Sequence, residues 1–246
     1  MRITILVAGN TVPAVAARRG DFDRWIREQT GDAWAGEWKS IDVRGDGALL
    51  PGPREADAFV ITGSSSSVTE RAPWMLRAEA FIREIVGART PLFGICFGHQ
   101  MIAQALGGEV TKNPRGREIG TVRVDRVADD PIFAGLPRTF DVQATHVDSV
   151  ARLPEGAQVL ATTSLDPFAA FAVGPLVKAV QFHPEFDADV IRGYLAARAE
   201  IIRKEGIDPE ALLANVHDGT RGRDVLRNFA RLVASSASAL ANAVQV

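Results

Sequence analysis

The feature that most limits the fold is a set of short apolar runs rich in β-branched residues: Ile3 to Val7, Ala58 to Thr62, Pro91 to Ile95 and Val177 to Phe182. Each is too short for a core helix and suits a strand buried on both faces. Between the second and third runs lies "APWMLRAEAFIREIVGA", where Trp74, Leu76, Phe81, Ile82 and Ile85 recur at near-helical spacing and Pro73 suits a first turn. Strand, helix, strand in that order predicts a right-handed crossover within an open, largely parallel sheet flanked by helices. The expected fold class is α/β.

From about Gly120 to Phe182 the character changes. "TVRVDRV", "TFDVQATHV", "AQVLATT" and "FAAFAVG" alternate and are divided by turn residues, which predicts a strand-rich insertion or meander around 120–182. Beyond it, "DADVIRGYLAARAEIIRKEG" and "GRDVLRNFARLVASSASALANAV" are helical in pattern, so the segment 206–246 is expected to be helical and to pack on the rest. No repeat or long linker forces a boundary, and residues 1–246, 46% of them hydrophobic, are expected to form one domain with a full core.

The net charge of −2, from 28 basic and 30 acidic side chains scattered along the chain, leaves no basic stripe, so nucleic acid is not an expected partner. One cysteine excludes an internal disulfide, and four histidines without clustered cysteines give no zinc spacing. No metal or cofactor is called for, and a reducing, cytoplasmic setting fits. "MRITILVAGN" is a short apolar run followed by polar residues, and no apolar stretch approaches the roughly 18 residues of a span. No leader, anchor or membrane contact is expected.

The single cysteine lies in "PLFGICFGHQ", where a strand leads into Cys96 and helical spacing continues through Phe97, Ile102 and Leu106 until glycines end it. At such a turn, the free N–H groups and dipole of the following helix lower the thiol pKa. Gly94 and Gly98 bracket it as Gly-x-Cys-x-Gly, the pattern of a nucleophile elbow, in which neighbouring backbone passes without a Cβ clash. A lone cysteine in an apolar strand also fits a small core residue; the bracketing glycines favour a nucleophile.

A nucleophile needs a base, and the base an orienting group. "VQFHPEF" places His183 at a strand end, fixes the backbone with Pro184, and sets Glu185 where it can turn back to the ring. Taken singly, His183 also fits a packed or surface histidine and Glu185 a solvated carboxylate. In "FVITGSSSSVTE", backbone N–H groups of Gly63 and Ser64 at a strand end suit developing charge on a carbonyl oxygen, and the stretch also fits a plain polar loop. It is no phosphate loop, since no Gly-Lys-Ser or Gly-Lys-Thr follows.

"GICFGHQ", "QFHPE" and "ITGSSSSV" together resemble the class I glutamine amidotransferases, a Cys-His-Glu glutaminase family, over roughly residues 55 to 186. The resemblance implies a flavodoxin-like sheet and assigns Cys96 as nucleophile on the side-chain amide carbon of glutamine, His183 as base and then acid, and Glu185 as its orienting partner. It implies an oxyanion hole from Gly63 and Phe97, loss of ammonia, and hydrolysis of a γ-glutamyl thioester. Gln100 matches a position that holds the substrate. "THVDSV" resembles a substrate-contacting segment, which adds Thr145, His146 and Val147, with Ser64, to the substrate-binding residues. Val147 stands where several members have glycine, and His146 also fits a structural turn. "GREIG", Gly116 to Gly120, resembles a stretch of active-site wall.

No segment resembles an ATP-pyrophosphatase loop such as Ser-Gly-Gly-x-Asp-Ser. The resemblance is therefore to free-standing members similar to the glutaminase half of GMP synthetase. Two activities follow: release of ammonia from glutamine for a separate synthetase subunit, or stand-alone hydrolysis of γ-glutamyl peptides or conjugates. A non-catalytic or redox cysteine module is the third reading.

Overall fold

A computed structural model describes residues 1–45 and 47–243, with side chains described as far as Ser236. The end of the expected helical segment, 244–246, lies outside the described residues. The chain opens with β1 (Arg2–Val7), α1 (Pro13–Arg19), α2 (Phe22–Thr30) and β2 (Glu37–Asp42), followed by β3 (Ala58–Ile61), α3 (Pro73–Gly87), β4 (Leu92–Ile95) and α4 (Phe97–Ala105). Then come β5 (Glu109–Lys112), β6 (Glu118–Arg126), β7 (Thr139–His146), β8 (Asp148–Arg152), β9 (Ala157–Thr162), β10 (Ala170–Val173) and β11 (Val177–Val180). Three helices finish it: α5 (Ala188–Lys204), α6 (Pro209–Ala214) and α7 (Gly222–Ala243).

Nine strands form one sheet in the order β2-β1-β3-β4-β11-β10-β9-β6-β7, and β5 pairs separately with β8. The pairings from β2 through β11 are parallel. From β11 onward they are antiparallel. The sheet is thus mixed, and the expectation of a largely parallel sheet holds for one half of it. The reason is the connection between β10 and β11, which is only Gly174-Pro175-Leu176, with Gly174 at φ 60°. So short a link closes a hairpin and cannot make a parallel crossover. Apart from β8, the strands of the strand-rich segment accordingly belong to the second half of the central sheet rather than to an insertion beside it.

Strand alternation sends side chains to two apolar layers. On one face Ile3, Ile5, Val60, Phe93 and Val180 meet Val225, Phe229 and Val233 of α7, and the Phe93 and Phe229 rings lie 4.9 Å apart. On the other, Leu6, Phe59, Ile61 and Leu92 meet Met75, Phe81, Ile82 and Ile85 of α3 and Met101 and Ile102 of α4. Leu76, expected on the apolar face of α3, is 45% exposed, and Met75 is buried in its place. Met75, Ile82 and Ile85 follow the helical period, whereas Leu76 lies one step, about 100°, around the axis.

α4 crosses the sheet at backbone contact. A Cβ added to Gly94 would lie 2.6 Å from the carbonyl oxygen of Gly98, and one added to Gly98 would lie 2.5 Å from that of Ile61. Backbone, unlike a side-chain tip, cannot step aside. Gly94→Ala and Gly98→Ala should each lower unfolding free energy by about 1–3 kcal/mol in urea titrations. Gly87→Ala, with no atom within 4 Å of the new Cβ, should leave stability unchanged or slightly raised. Wild-type stability in both elbow variants would contradict this account of the turn.

Candidate active site

Cys96 joins β4 to α4 with φ 51° and ψ −100°. A residue with a Cβ adopts such a backbone at a cost of about 1–3 kcal/mol and keeps it only where its surroundings leave no alternative. Here its N–H donates to the Val180 carbonyl at 2.9 Å, and its own carbonyl accepts from the Gln100 N–H at 3.1 Å. The sulfur lies 3.8 Å from the Thr145 carbonyl oxygen. Among the described residues, the N–H groups of Phe97 and Gly63 make no hydrogen bond.

His183 is fixed from several directions. Its N–H donates to the Gln143 carbonyl at 2.8 Å, and its carbonyl accepts from Phe186 N–H at 3.3 Å. The ring stacks on Phe186, with centroids 4.0 Å apart, and Phe22 lies near-parallel at 6.1 Å. Nδ1 lies 2.7 Å from Glu185 Oε1. Gly63 abuts the same ring, for a Cβ there would lie 2.9 Å from His183 Cε1. The expected strand-end loop, strand-to-helix cysteine and His-Pro-Glu segment therefore meet at one place.

Burial alone would push the Cys96 thiol up. The charge of His183 and its hydrogen bond to the sulfur, with the charge of His146 adding, outweigh burial and hold the thiol below its ordinary value. Burial likewise pulls the His183 imidazole down, but the charges of Glu185 and of the Cys96 sulfur prevail and push it up to about 10. Sulfur and ring hold each other as thiolate and imidazolium.

A second histidine completes the electrostatics. His146 Nδ1 faces the Asp148 carbonyl at 2.9 Å and Nε2 faces Glu118 Oε2 at 3.0 Å. With an acceptor at each nitrogen, both carry a proton and the ring is an imidazolium. Burial opposes that charge; the hydrogen bond and charge of Glu118, helped by Asp166 and Cys96, outweigh it and raise the pKa. Neither nitrogen is left for a substrate, so His146 acts on the site as a fixed charge.

The remaining expected contacts line one cavity of about 380 Å³ together with Cys96 and His183, a size usual for small-ligand sites. Gln100 Nε2 donates to the Asp148 carbonyl at 2.9 Å and to Gln181 Oε1 at 3.0 Å, which leaves its carbonyl oxygen without a partner among the described residues. The Val147 carbonyl accepts from Asn113 at 2.9 Å, while the Val147 N–H makes no bond among the described residues. Ser64 lines the cavity, and its hydroxyl accepts from Ser66 N–H at 3.2 Å. The Thr145 hydroxyl accepts from Arg198 Nη1 at 2.8 Å. Sequence reasoning did not single out Thr11, Phe22, Tyr194 or Arg198, which also line the cavity. A signal for two of them exists: Tyr194 and Arg198 stand four apart on the helix that follows the His-Pro-Glu segment.

The sequence profile of the family "Glutamine amidotransferase class-I" matches residues 49–197. A GMP synthase (glutamine-hydrolyzing) of Thermomicrobium roseum is 50% identical over 127 residues, covering 52% of this chain and 23% of that enzyme. The chain thus spans about a quarter of that relative's length. Gamma-glutamyl peptidase 4 of Arabidopsis thaliana is 31% identical over 165 residues, 63% of this chain and 64% of the other. The crystal structure of a glutamine amidotransferase from Thermotoga maritima superposes with a TM-score of 0.69 at 24% identity, covering 96% of this chain and 97% of that one, a likeness of fold.

With the thiol held low and His183 raised to about 10, the thiolate predominates between the two. Alkylation of Cys96 by iodoacetamide should therefore stay fast well below the free-thiol pKa of about 8.5. In His183→Gln the burial penalty is left unopposed by that partner, and the rate inflexion should move above about 8.5. Glu118→Gln should move it upward by less. A wild-type inflexion at the ordinary thiol value would count against the ion pair.

Proposed function

Because the chain belongs to the class I glutamine amidotransferase family, we propose that it hydrolyses the side-chain amide of glutamine, or a related γ-glutamyl amide, through a thioester on Cys96. The Cys96 thiolate adds to the amide carbon. The oxyanion that forms is held by the N–H groups of Gly63 and Phe97, neither of which makes a hydrogen bond among the described residues. His183, oriented by Glu185, passes its proton to the departing nitrogen, and the C–N bond breaks to leave a γ-glutamyl thioester. His183 then takes a proton from water, which attacks the thioester; glutamate leaves and the thiolate returns. Val147 N–H and the Gln100 carbonyl oxygen suit the α-carboxylate and α-ammonium groups of the substrate.

The observation that carries this reading is that Cys96, Phe97 and His183 line one cavity, with Glu185 on the far nitrogen of the ring and Gly63 against its edge. Ammonia released from glutamine would serve a separate acceptor enzyme of the synthetase kind. A second reading, stand-alone hydrolysis of γ-glutamyl peptides, uses the same residues, and the 31% identity to an Arabidopsis gamma-glutamyl peptidase supports it.

The test is a substrate panel of glutamine and γ-glutamyl dipeptides, read for both ammonia and glutamate. Cys96→Ala should abolish release. His183→Ala should lower kcat/KM by roughly 10²–10⁴-fold. Glutamate release that survives Cys96→Ala, or the absence of any release across the panel, would overturn the proposal.

A further inference from the structure

We propose that Arg198, with Tyr194 and Thr145, forms a subsite for a carboxylate carried by the leaving group, so that the substrates this site selects are γ-glutamyl amino acids. The proposal deepens the hydrolase reading above and rests on it for the identity of the leaving group.

Arg198 is a half-buried guanidinium on the cavity wall. Its Nη1 donates to the Thr145 hydroxyl at 2.8 Å, and its Cζ stands 5.0 Å over the Tyr194 ring. Among the described residues no carboxylate pairs with it, whereas Arg203, on the same helix, pairs with Glu210. Burial, the largest influence, makes its charge costlier and Arg117 adds repulsion, while Tyr194 and the Cys96 sulfur favour it. A guanidinium carries five donors in a planar fork, and only one of them is used here. A carboxylate entering the cavity would supply both a paired countercharge and a two-point acceptor.

The position of Arg198 selects which carboxylate. His183 protonates the departing nitrogen, so the leaving group lies on the His183 side of the sulfur. From His183 a run of contacts leads to Phe186 at 4.0 Å, from Phe186 to Tyr194 at 5.0 Å, and from Tyr194 to Arg198. The Thr11 hydroxyl braces this flank by donating to Tyr194 Oη at 2.8 Å. Of the groups suited to the glutamyl head, Gln100 is held through Asp148 with Ser67 and Glu70, and among the described residues it makes no hydrogen bond with Arg198 or Tyr194. On that placement Arg198 faces the amine product. Ammonia has nothing for it to bind; an amino acid does. The reaction balances without a further reactant: the γ-amide C–N bond breaks as the S–C bond forms, His183 supplies the amine proton, and water clears the thioester.

The experiment compares γ-glutamylglycine with γ-glutamylethylamide, whose departing amine has no carboxylate. Calorimetry on the Cys96→Ala protein, where nothing turns over, should show γ-glutamylglycine binding at least about tenfold tighter. Adding Arg198→Gln should reduce that preference to about twofold or less, and Arg198→Lys should keep part of it. In the cysteine-containing protein the ratio of kcat/KM for the two substrates should fall by the same factor in Arg198→Gln. Equal affinities, no binding of either ligand, a preference that survives Arg198→Gln, or equal weakening of both ligands would each overturn the subsite. A binding preference without turnover of either substrate would uphold the subsite and defeat the hydrolase reading. Turnover of both without preference would do the reverse.

Discussion

The turn between β4 and α4 holds Cys96 at φ 51°, and the register of two neighbouring strands keeps it there. Ile95 pairs with Val180 across β4 and β11, and the Val180 carbonyl takes the Cys96 N–H at 2.9 Å. The same strand runs on to His183. One ladder thus clamps the nucleophile's backbone and delivers the imidazole beside it, and a slip of one residue would reverse every side chain on β11. The antiparallel half of the sheet completes the clamp. Although β7 ends the strand order, its Gln143 bridges to His183, so the far edge curls back and fixes the residue that follows β11.

That geometry draws two imidazoles toward one sulfur, and each imidazole has its own buried carboxylate. The pairings differ in one respect that separates their chemistry. His183 has Glu185 at Nδ1 and keeps its other nitrogen for the sulfur and substrate, so it can give and take a proton. His146 has an acceptor at both nitrogens and can do neither. A buried charge is tolerable only when paired, and Glu118, itself tied to the Thr163 hydroxyl at 2.7 Å, serves that need. The result is one movable proton and one fixed positive charge around a thiolate, an arrangement that favours ionisation of the sulfur without adding a competing acid.

The triad and the parallel half of the sheet were legible because their causes are local: the β-branched runs of β1, β3, β4 and β11, the glycines at 94 and 98 that allow backbone contact, and the proline after His183. The antiparallel half was legible as strands but not as part of the central sheet, since a three-residue hairpin link reads the same whichever sheet it joins. β2 escaped notice because "EWKSID" is an edge strand with mostly exposed side chains, so no apolar run marks it. α1 and α2 are short helices whose few buried residues, such as Val15, Phe22 and Trp25, pack on α5 from far along the chain. His146 was legible as a site residue, whereas its bond to Glu118 joins two strands whose pairing no local pattern states.

In the proposed reaction glutamine and a γ-glutamyl peptide would be cleaved by the same steps, so what separates the two would lie where the departing amine sits. The proposal sets that flank at Tyr194 and Arg198, with Thr11, Val12 and Pro13 also lining the cavity. The family profile begins at residue 49 and stops at 197, one position short of Arg198 and well past the Thr11 loop. Cys96, His183 and Glu185 fall inside the shared span, whereas Thr11, Val12, Pro13 and Arg198 fall outside it. An unpaired guanidinium is costly to keep half-buried, and among the described residues Arg198 is held only by a threonine hydroxyl and a tyrosine ring. Tyr194 and the Cys96 sulfur offset part of that cost, and an anionic part of the substrate would offset more of it.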